Sequence, residues 1–483
     1  MKILMAASEM EPFARTGSLA DGMLALPREL RSLGHEVSVV LPYYRQIREG
    51  GHQGIKSTGV KFPVQIGNAK YPCEILQTTT ADDVQVFFIR RDEYFDRTGI
   101  YGMEGRDYQD NAERFVFFTK AALEVARRMD PAPEVLHAHD WQTALLPVFV
   151  RDQRMPFSTV LTIHDLAVQG NFWSYDFALT NLPAERFSAK GVEYYGSLNC
   201  VKGGILAADA VVVPGARVAS DVQTPEFGFG LDPVFREHSG KLVGIPIGVD
   251  HALWNPASDP LLPVKYTAAS LDKKGKSRTE WLKKCGLAPQ PSGPVFSLVA
   301  GRIAAGTLDV LLPALDRLLA DDVRLVLAGA IPETHRRAVA IAGKKHAARM
   351  AAFPSLEEGD LHLLHAGSDV TLIPDRSDPA DPLLIHALRY GAIPVVRSGG
   401  GMYQFVQDFE EASSSGNGFV FHRSTPEAFL DAIRRIRMVW ADRPRWRQLQ
   451  KRAMESDFSW RHVAVLHEEV YASVPRRSVG KAA

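Results

Sequence analysis

KILMAASEMEPFARTGSLADGMLALPRELRSLGHEVSVVLP, residues 2–42, reads as strand, loop, helix, strand. The run KILMAA at 2–7 is short and apolar, as a strand covered on both faces requires. A loop carrying Gly17 follows, and from about Ala20 to Leu33 the residues Leu26, Leu30 and Leu33 fall on one side of a helix that Gly34 ends. EVSVVLP at 36–42 is the second strand, which completes the crossover unit from which parallel sheets are built. The alternation recurs with VQVFFI at 84–89, a helix near 112–128, VLHAH at 135–139, STVLTIH at 158–164 and AVVVP at 210–214. After a polar, Lys-rich stretch at 270–279 a second series runs through PVFSLVAGR at 294–302, RLVLAG at 324–329, VTLIP at 370–374 and IPVVRSGGG at 393–401. The expected class is therefore α/β with two Rossmann-like doubly wound domains, 1–246 and 247–458. The tail from Ser473 to Ala483, SVPRRSVGKAA, is basic and rich in small residues, and is expected to be disordered.

Composition agrees with two domains: 483 residues, 46% hydrophobic and 23% charged, suffice for two cores of ordinary size. Lys plus Arg and Asp plus Glu both number 56, so no overall field draws the chain to nucleic acid or to an anionic membrane. Any phosphate must be held locally. Cys73, Cys200 and Cys285 stand far apart, in no disulfide framework or zinc-ligand spacing, which fits a reducing cytoplasm. Glu9 and Glu11 interrupt the N-terminal apolar run, unlike a signal-peptide core, and no stretch nears the roughly 20 apolar residues that span a bilayer. The pair Asp321-Asp322 precedes a strand and reads as a turn, so no metal and no cofactor are implied.

Ligands of doubly wound sheets bind beyond the carboxyl ends of the strands, so the loops there carry the information. Five strings stand out: ARTGSLAD (14–21), GRDYQDNAERF (105–115), HAHDWQTALLP (137–147), TIHDLAVQG (162–170) and QTPEFGFGLD (223–232). WNPASDP (254–260), HALRYGAIPVV (386–396) and DFSW (457–460) continue the series. Their order and content resemble the bacterial glycogen and starch synthases of the ADP-glucose type, from Met1 to about Ala472. The resemblance implies a GT-B fold, two Rossmann-like domains facing an interdomain cleft, with a C-terminal helix at 459–472 packing back on the first domain. It also implies a first domain that takes the α-1,4-glucan acceptor and a second that takes the ADP-glucose donor.

By matching motifs, the resemblance makes His164, Asp378 and Arg302 the catalytic set. It assigns Arg15, Gly17, Ser18, Arg302, Gly400 and Gly401 to the donor, and Asp21, His139, Asp140 and Gln169 to the cleft and acceptor side. Outside these strings a histidine after a buried strand is more often a satisfied structural residue than a functional one.

Several donor positions depart from the family. Arg15 stands for its loop lysine and Ser18 for a glycine; arginine keeps the charge on a bulkier fork. GRIAAGTLD at 301–309 keeps Arg302 but lacks the family's diphosphate-binding lysine and one loop residue. PDRSDPADPLL at 374–384 holds Asp378 where the family has glutamate, and Ala380 and Asp381 where it has Cys-Gly. Asp381 adds negative charge and Pro382 lacks an N–H donor, so both oppose an anionic ligand. Ile247 stands for an asparagine that reaches the sugar, and Gly399, Gly400, Gly401 and Met402 stand for Thr-Gly-Gly-Leu. Three functions remain open on the sequence: glucose transfer from ADP-glucose to the nonreducing end of the glucan with retention, transfer from another nucleotide sugar, or a catalytically impaired homologue that binds glucan or regulates an active synthase. A homo-oligomer is open as well.

Overall fold

The computed structural model describes residues 1–251, 253–289, 291–302, 304–373, 382–398 and 401–477, without the side chains of 300–302 and 401–402. The chain divides into two compact units, Met1–Gly248 with Trp460–Ala483, and Val249–Ser459.

In the first unit β1 (Lys2–Ala6), α1 (Ser18–Ser32) and β2 (Glu36–Pro42) form the leading crossover. Gly34 ends α1 with φ +92°, while His35 N–H reaches Leu30 O and Gly34 N–H reaches Arg31 O. This is a Schellman closure, whose left-handed position suits a residue without Cβ. Then come the hairpin β3 (Lys56–Ile66) and β4 (Ala69–Thr79), β5 (Gln85–Arg90), α2 (Asn111–Arg128), β6 (Val135–His139) and β7 (Ser158–Thr162). A small sheet of β8 (Asn171–Phe172), β9 (Glu193–Tyr194) and β10 (Ser197–Asn199) precedes β11 (Ala210–Pro214) and β12 (Leu242–Ile245). The large sheet has the order β12-β11-β7-β6-β1-β2-β5-β4-β3, parallel except where β4 pairs with its two neighbours. Every residue of β6, β7 and β11 is buried, as expected of central parallel strands. In the edge strand β3 only the alternate residues Phe62, Val64 and Ile66 are buried.

In the second unit α3 (Lys274–Lys284) leads to β13 (Val295–Arg302), β14 (Arg324–Ala330), β15 (Met350–Phe353), α4 (Glu358–Gly367), β16 (Val370–Ile373), α5 (Leu383–Arg389), β17 (Ile393–Arg397) and β18 (Phe419–Phe421). The sheet order β15-β14-β13-β16-β17-β18 is parallel throughout. The Lys-rich stretch opens α3. Lys274 is buried, and its ammonium donates to the carbonyls of His365, Ala366 and Tyr390 at 3.1, 2.8 and 2.9 Å, capping the ends of α4 and α5.

The chain returns to the first unit as α6 (Trp460–Ser473), which packs along α1. A Cβ on Gly22 would stand 3.3 Å from the Trp460 indole and one on Gly248 only 2.5 Å from it, so both glycines admit the ring. The expectation of disorder from Ser473 is corrected as far as Arg477. Val474 is buried in the core, Ser158 donates to the Pro475 carbonyl, and Arg477 pairs with Asp209 at 2.6 Å.

Candidate functional site

The parallel pairing of β6 with β7 sets His139 opposite Thr162, so the two chain reversals that follow lie side by side. Asp140 makes the first turn with φ +58°, a left-handed conformation that aspartate tolerates better than most residues, and its N–H donates to Thr162 O at 2.8 Å. Its Oδ1 accepts the backbone N–H of His164 at 2.7 Å and that of Asp165 at 3.5 Å. The Asp140 carboxyl is thus a clamp on the backbone of the second turn, and burial pushes it up to about 7.

Four histidines surround this corner. His137 and His139, two residues apart, leave β6 on the same face with ring centroids 4.0 Å apart. His139 Nδ1 lies 3.1 Å from His164 Nε2. His137 is held at both nitrogens, by Tyr471 Oη at 2.8 Å and Thr162 Oγ1 at 2.7 Å. His467 donates from Nδ1 to the Val463 carbonyl at 2.9 Å. Burial, with the neighbouring imidazoles, holds His137 and His139 well below the usual histidine range, and burial brings His467 down to about 4. These three rings therefore offer neutral donors and acceptors at physiological pH. A cavity of about 30 Å³ opens among Gly22, Met23, His139, His164, Trp460 and His467, which ties the start of α1 to the same corner.

The loop between β1 and α1 is organised around a residue that the sequence reading did not single out. Buried Glu9 accepts the N–H of Thr16, the Thr16 hydroxyl at 2.7 Å, the N–H of Gly17 at 3.2 Å and the Tyr101 hydroxyl at 2.5 Å. Arg15 bonds Glu11 at 3.0 Å and Asp21 at 3.3 Å. Gly17 precedes α1 and Ser18 opens it, and a Cβ on Gly17 would meet nothing within 4 Å. Asp21 is raised above its ordinary value by burial, with Arg15 opposing.

His139, Asp140 and His164 thus form one cluster, and Arg15, Gly17, Ser18 and Asp21 form a second at the end of the adjacent strand β1. Gln169 has a structural place: its Oε1 accepts from Asn199 at 2.7 Å and its Nε2 donates to Phe229 O at 3.1 Å. Arg302 ends β13, where its backbone pairs with Ala330. Gly401 begins a 3-10 turn over Gly401–Phe405. Asp378 and Gly400 lie outside the described residues. Sequence reasoning passed over Glu9, His137, His467 and Tyr471. The alternation of HAH in an apolar strand was the available sign for His137, and a charged residue directly after β1 for Glu9. Among the described residues no group of three or more His, Cys, Asp or Glu side chains gathers in a way that could hold a metal ion.

Residues 2–237 match the starch synthase catalytic domain family and residues 288–452 the glycosyl transferases of group 1. The chain is 37% identical over 477 residues to a glycogen synthase of Opitutus terrae, covering 98% of this chain and 99% of that one. It is 36% identical over 480 residues to glycogen synthase 2 of Geobacter sulfurreducens, covering 98% of each. Among solved structures, the catalytic domain of starch synthase IV from Arabidopsis thaliana, bound to ADP and acarbose, matches with a TM-score of 0.82 at 27% identity over 98% of both chains. A sucrose-phosphate synthase from Thermosynechococcus elongatus, at 15% identity and a TM-score of 0.57, shares the fold. With both halves matched in order and nearly the whole length covered, the chain belongs to the glycogen and starch synthase family of GT-B glycosyltransferases.

Proposed function

We propose that this protein is a glycogen synthase-like glucosyltransferase that moves glucose from ADP-glucose to the nonreducing 4-hydroxyl of an α-1,4-glucan with retention, acting in the cytoplasm. The observation that carries the reading is the corner of His139, Asp140 and His164, built from family-matching strings inside a chain that aligns end to end with glycogen synthases. Glucosyl transfer passes through an oxocarbenium-like state, whose positive charge a nearby imidazolium would oppose. Neutral His139 and His137 in the wall suit it. In this reading His164 supports the reacting sugar, Asp378 faces the glucose, and Arg302 and Arg15 meet the diphosphate with Gly17, Ser18, Gly400 and Gly401. Asp21 and Asp140 line the acceptor side, while Gln169 acts through the loop it ties down.

A second reading has an observation of its own. Glu9 already takes the N–H groups of Thr16 and Gly17, and Arg15 is bonded to Glu11 and Asp21. Together with the departures at Asp381 and in the loop after Arg302, this favours weakened donor binding, in a homologue that holds glucan or an active synthase and transfers slowly. The experiment is transfer of labelled glucose to glycogen from ADP-glucose and, in parallel, from UDP-glucose, beside a glycogen-binding measurement. Transfer from ADP-glucose supports the first reading, transfer from UDP-glucose alone overturns the donor, and binding without transfer selects the second.

A further inference from the structure

Among the described residues four aromatic side chains stand exposed, Trp173 at 79%, Tyr175 at 85%, Tyr195 at 90% and Phe229 at 57%, and all four belong to one end of the small sheet β8–β10. Trp173 follows β8 directly, and the pairing of Phe172 with Leu198 sets it beside Ser197. Tyr195 lies in the turn that joins β9 to β10, its ring edge-on to Tyr194 at 4.7 Å. A Cβ on Gly230 would stand 2.0 Å from the Tyr194 hydroxyl, so Phe229 comes to the same turn. Tyr175 follows in the 3-10 turn after Trp173. Side-chain amides tie these segments together: Asn199 Nδ2 donates to Gln169 Oε1 at 2.7 Å and to Asn171 Oδ1 at 2.8 Å, and Gln169 Nε2 donates to Phe229 O at 3.1 Å.

Folding alone does not account for rings at these positions. Tyr195 and Gly196 have φ +46° and +80°, and Phe229 and Gly230 have +47° and +82°. The Tyr195-Gly196 pair is a two-residue hairpin loop with both residues left-handed, a turn that favours Asn-Gly. A bulky residue with positive φ is a backbone outlier, and neither ring recovers that cost by burial. The segments 168–177, 192–199 and 225–231 hold Asp176, Glu193 and Glu226 but no Lys or Arg, which disfavours a polyanion. Exposed aromatic faces among carboxyls and amides fit a neutral polyol, whose sugar rings present CH faces for stacking and hydroxyls for hydrogen bonds. The surface starts at exposed Val168, in the same loop as His164, so it continues the acceptor side of the histidine corner. We infer that Trp173, Tyr175, Tyr195 and Phe229 form a stacking surface that holds a stretch of α-1,4-glucan away from its reacting end. The identity of the glucan rests on the proposed function, in either of its two readings.

The test is native electrophoresis of the full-length protein through gels containing glycogen or, in parallel, dextran, an α-1,6-glucan. The proteins compared are the wild type, Trp173→Ala, Tyr195→Asn and the double variant. Glycogen should retard the wild type and dextran should not, and each single variant should bind glycogen about 10-fold more weakly, the double variant more weakly still. Tyr195→Asn separates binding from structure: asparagine suits the turn, so Tm should hold or rise while glycogen affinity falls. A wild type that glycogen does not retard overturns the inference, and so does equal retention by dextran. A folded double variant whose glycogen affinity stays within about twofold of the wild type overturns it as well. Sedimentation velocity covers the other occupant: a wild-type dimer that the double variant dissolves, with glycogen affinity unchanged, would assign the surface to a second copy of the chain. The transfer assay decides the proposed reaction separately, because a wild type that binds glycogen through Trp173 and transfers nothing sinks the reaction and leaves the surface standing.

Discussion

Two neighbouring loops, each following a strand of the same parallel pair β1 and β6, solve the problem of polar groups at a sheet edge in opposite ways. After β1 the solution is charge answered by charge: Arg15 sits between Glu11 and Asp21, and Glu9 gathers Thr16, Gly17 and Tyr101. After β6 it is burial, with neutral His137 and His139 bonded to hydroxyls and to another ring and with the Asp140 carboxyl pushed up to about 7. The difference teaches which loop can accept a ligand cheaply. An anion approaching the first must displace or coexist with carboxylates already in place, whereas the second presents His164 backed by the neutral rings of His137 and His139. In sequence the first loop looks the more inviting to phosphate, with its arginine, glycine and helix start. In the structure that arginine is already bonded to Glu11 and Asp21.

Glu9→Gln should break the comparison most severely. An amide N–H would face the donors of Thr16, Gly17 or Tyr101, and loss of bonds to a charged acceptor should cost about 1.5–3 kcal/mol in urea unfolding. A loss under about 0.5 kcal/mol would mean that Glu9 does not organise the loop. Asp140→Asn sharpens the other side. The folded carboxyl holds its proton up to about 7 against 3.8 unfolded, so stability from this group is full below about pH 4 and is lost as the pH rises through 7. The difference in Tm, variant minus wild type, should therefore grow between pH 5 and pH 8. A constant or shrinking difference would contradict the burial of Asp140. Arg15→Ala should be the mildest, within about 1 kcal/mol in stability because its ion pairs are exposed, with its effect seen instead as a raised KM for the nucleotide sugar.

The sheets were legible because parallel strands are covered on both faces and so read as unbroken apolar runs; AVVVP at 210–214 could hardly be anything else. His139, Asp140 and His164 were legible together because their strings end adjacent strands. The β3–β4 hairpin was not: KSTGVKFPVQI mixes polar residues with Pro63, which faces Pro72 on β4, and only three of its eleven residues are buried. The role of Lys274 was not legible in its polar stretch, because only the fold brings two helix ends to one ammonium. Tyr471 and His137 are 334 residues apart, and no local pattern announces such a bond.

The central claim is that the corner of His139, Asp140 and His164 performs the transfer. Single-turnover transfer of labelled glucose from ADP-glucose to glycogen, compared between the wild type and a folded His164→Ala, tests it most directly. The account predicts measurable transfer by the wild type and a rate lower by about 10²–10³-fold in the variant, the cost of removing one group that supports the transition state. Equal rates in the two proteins would contradict it.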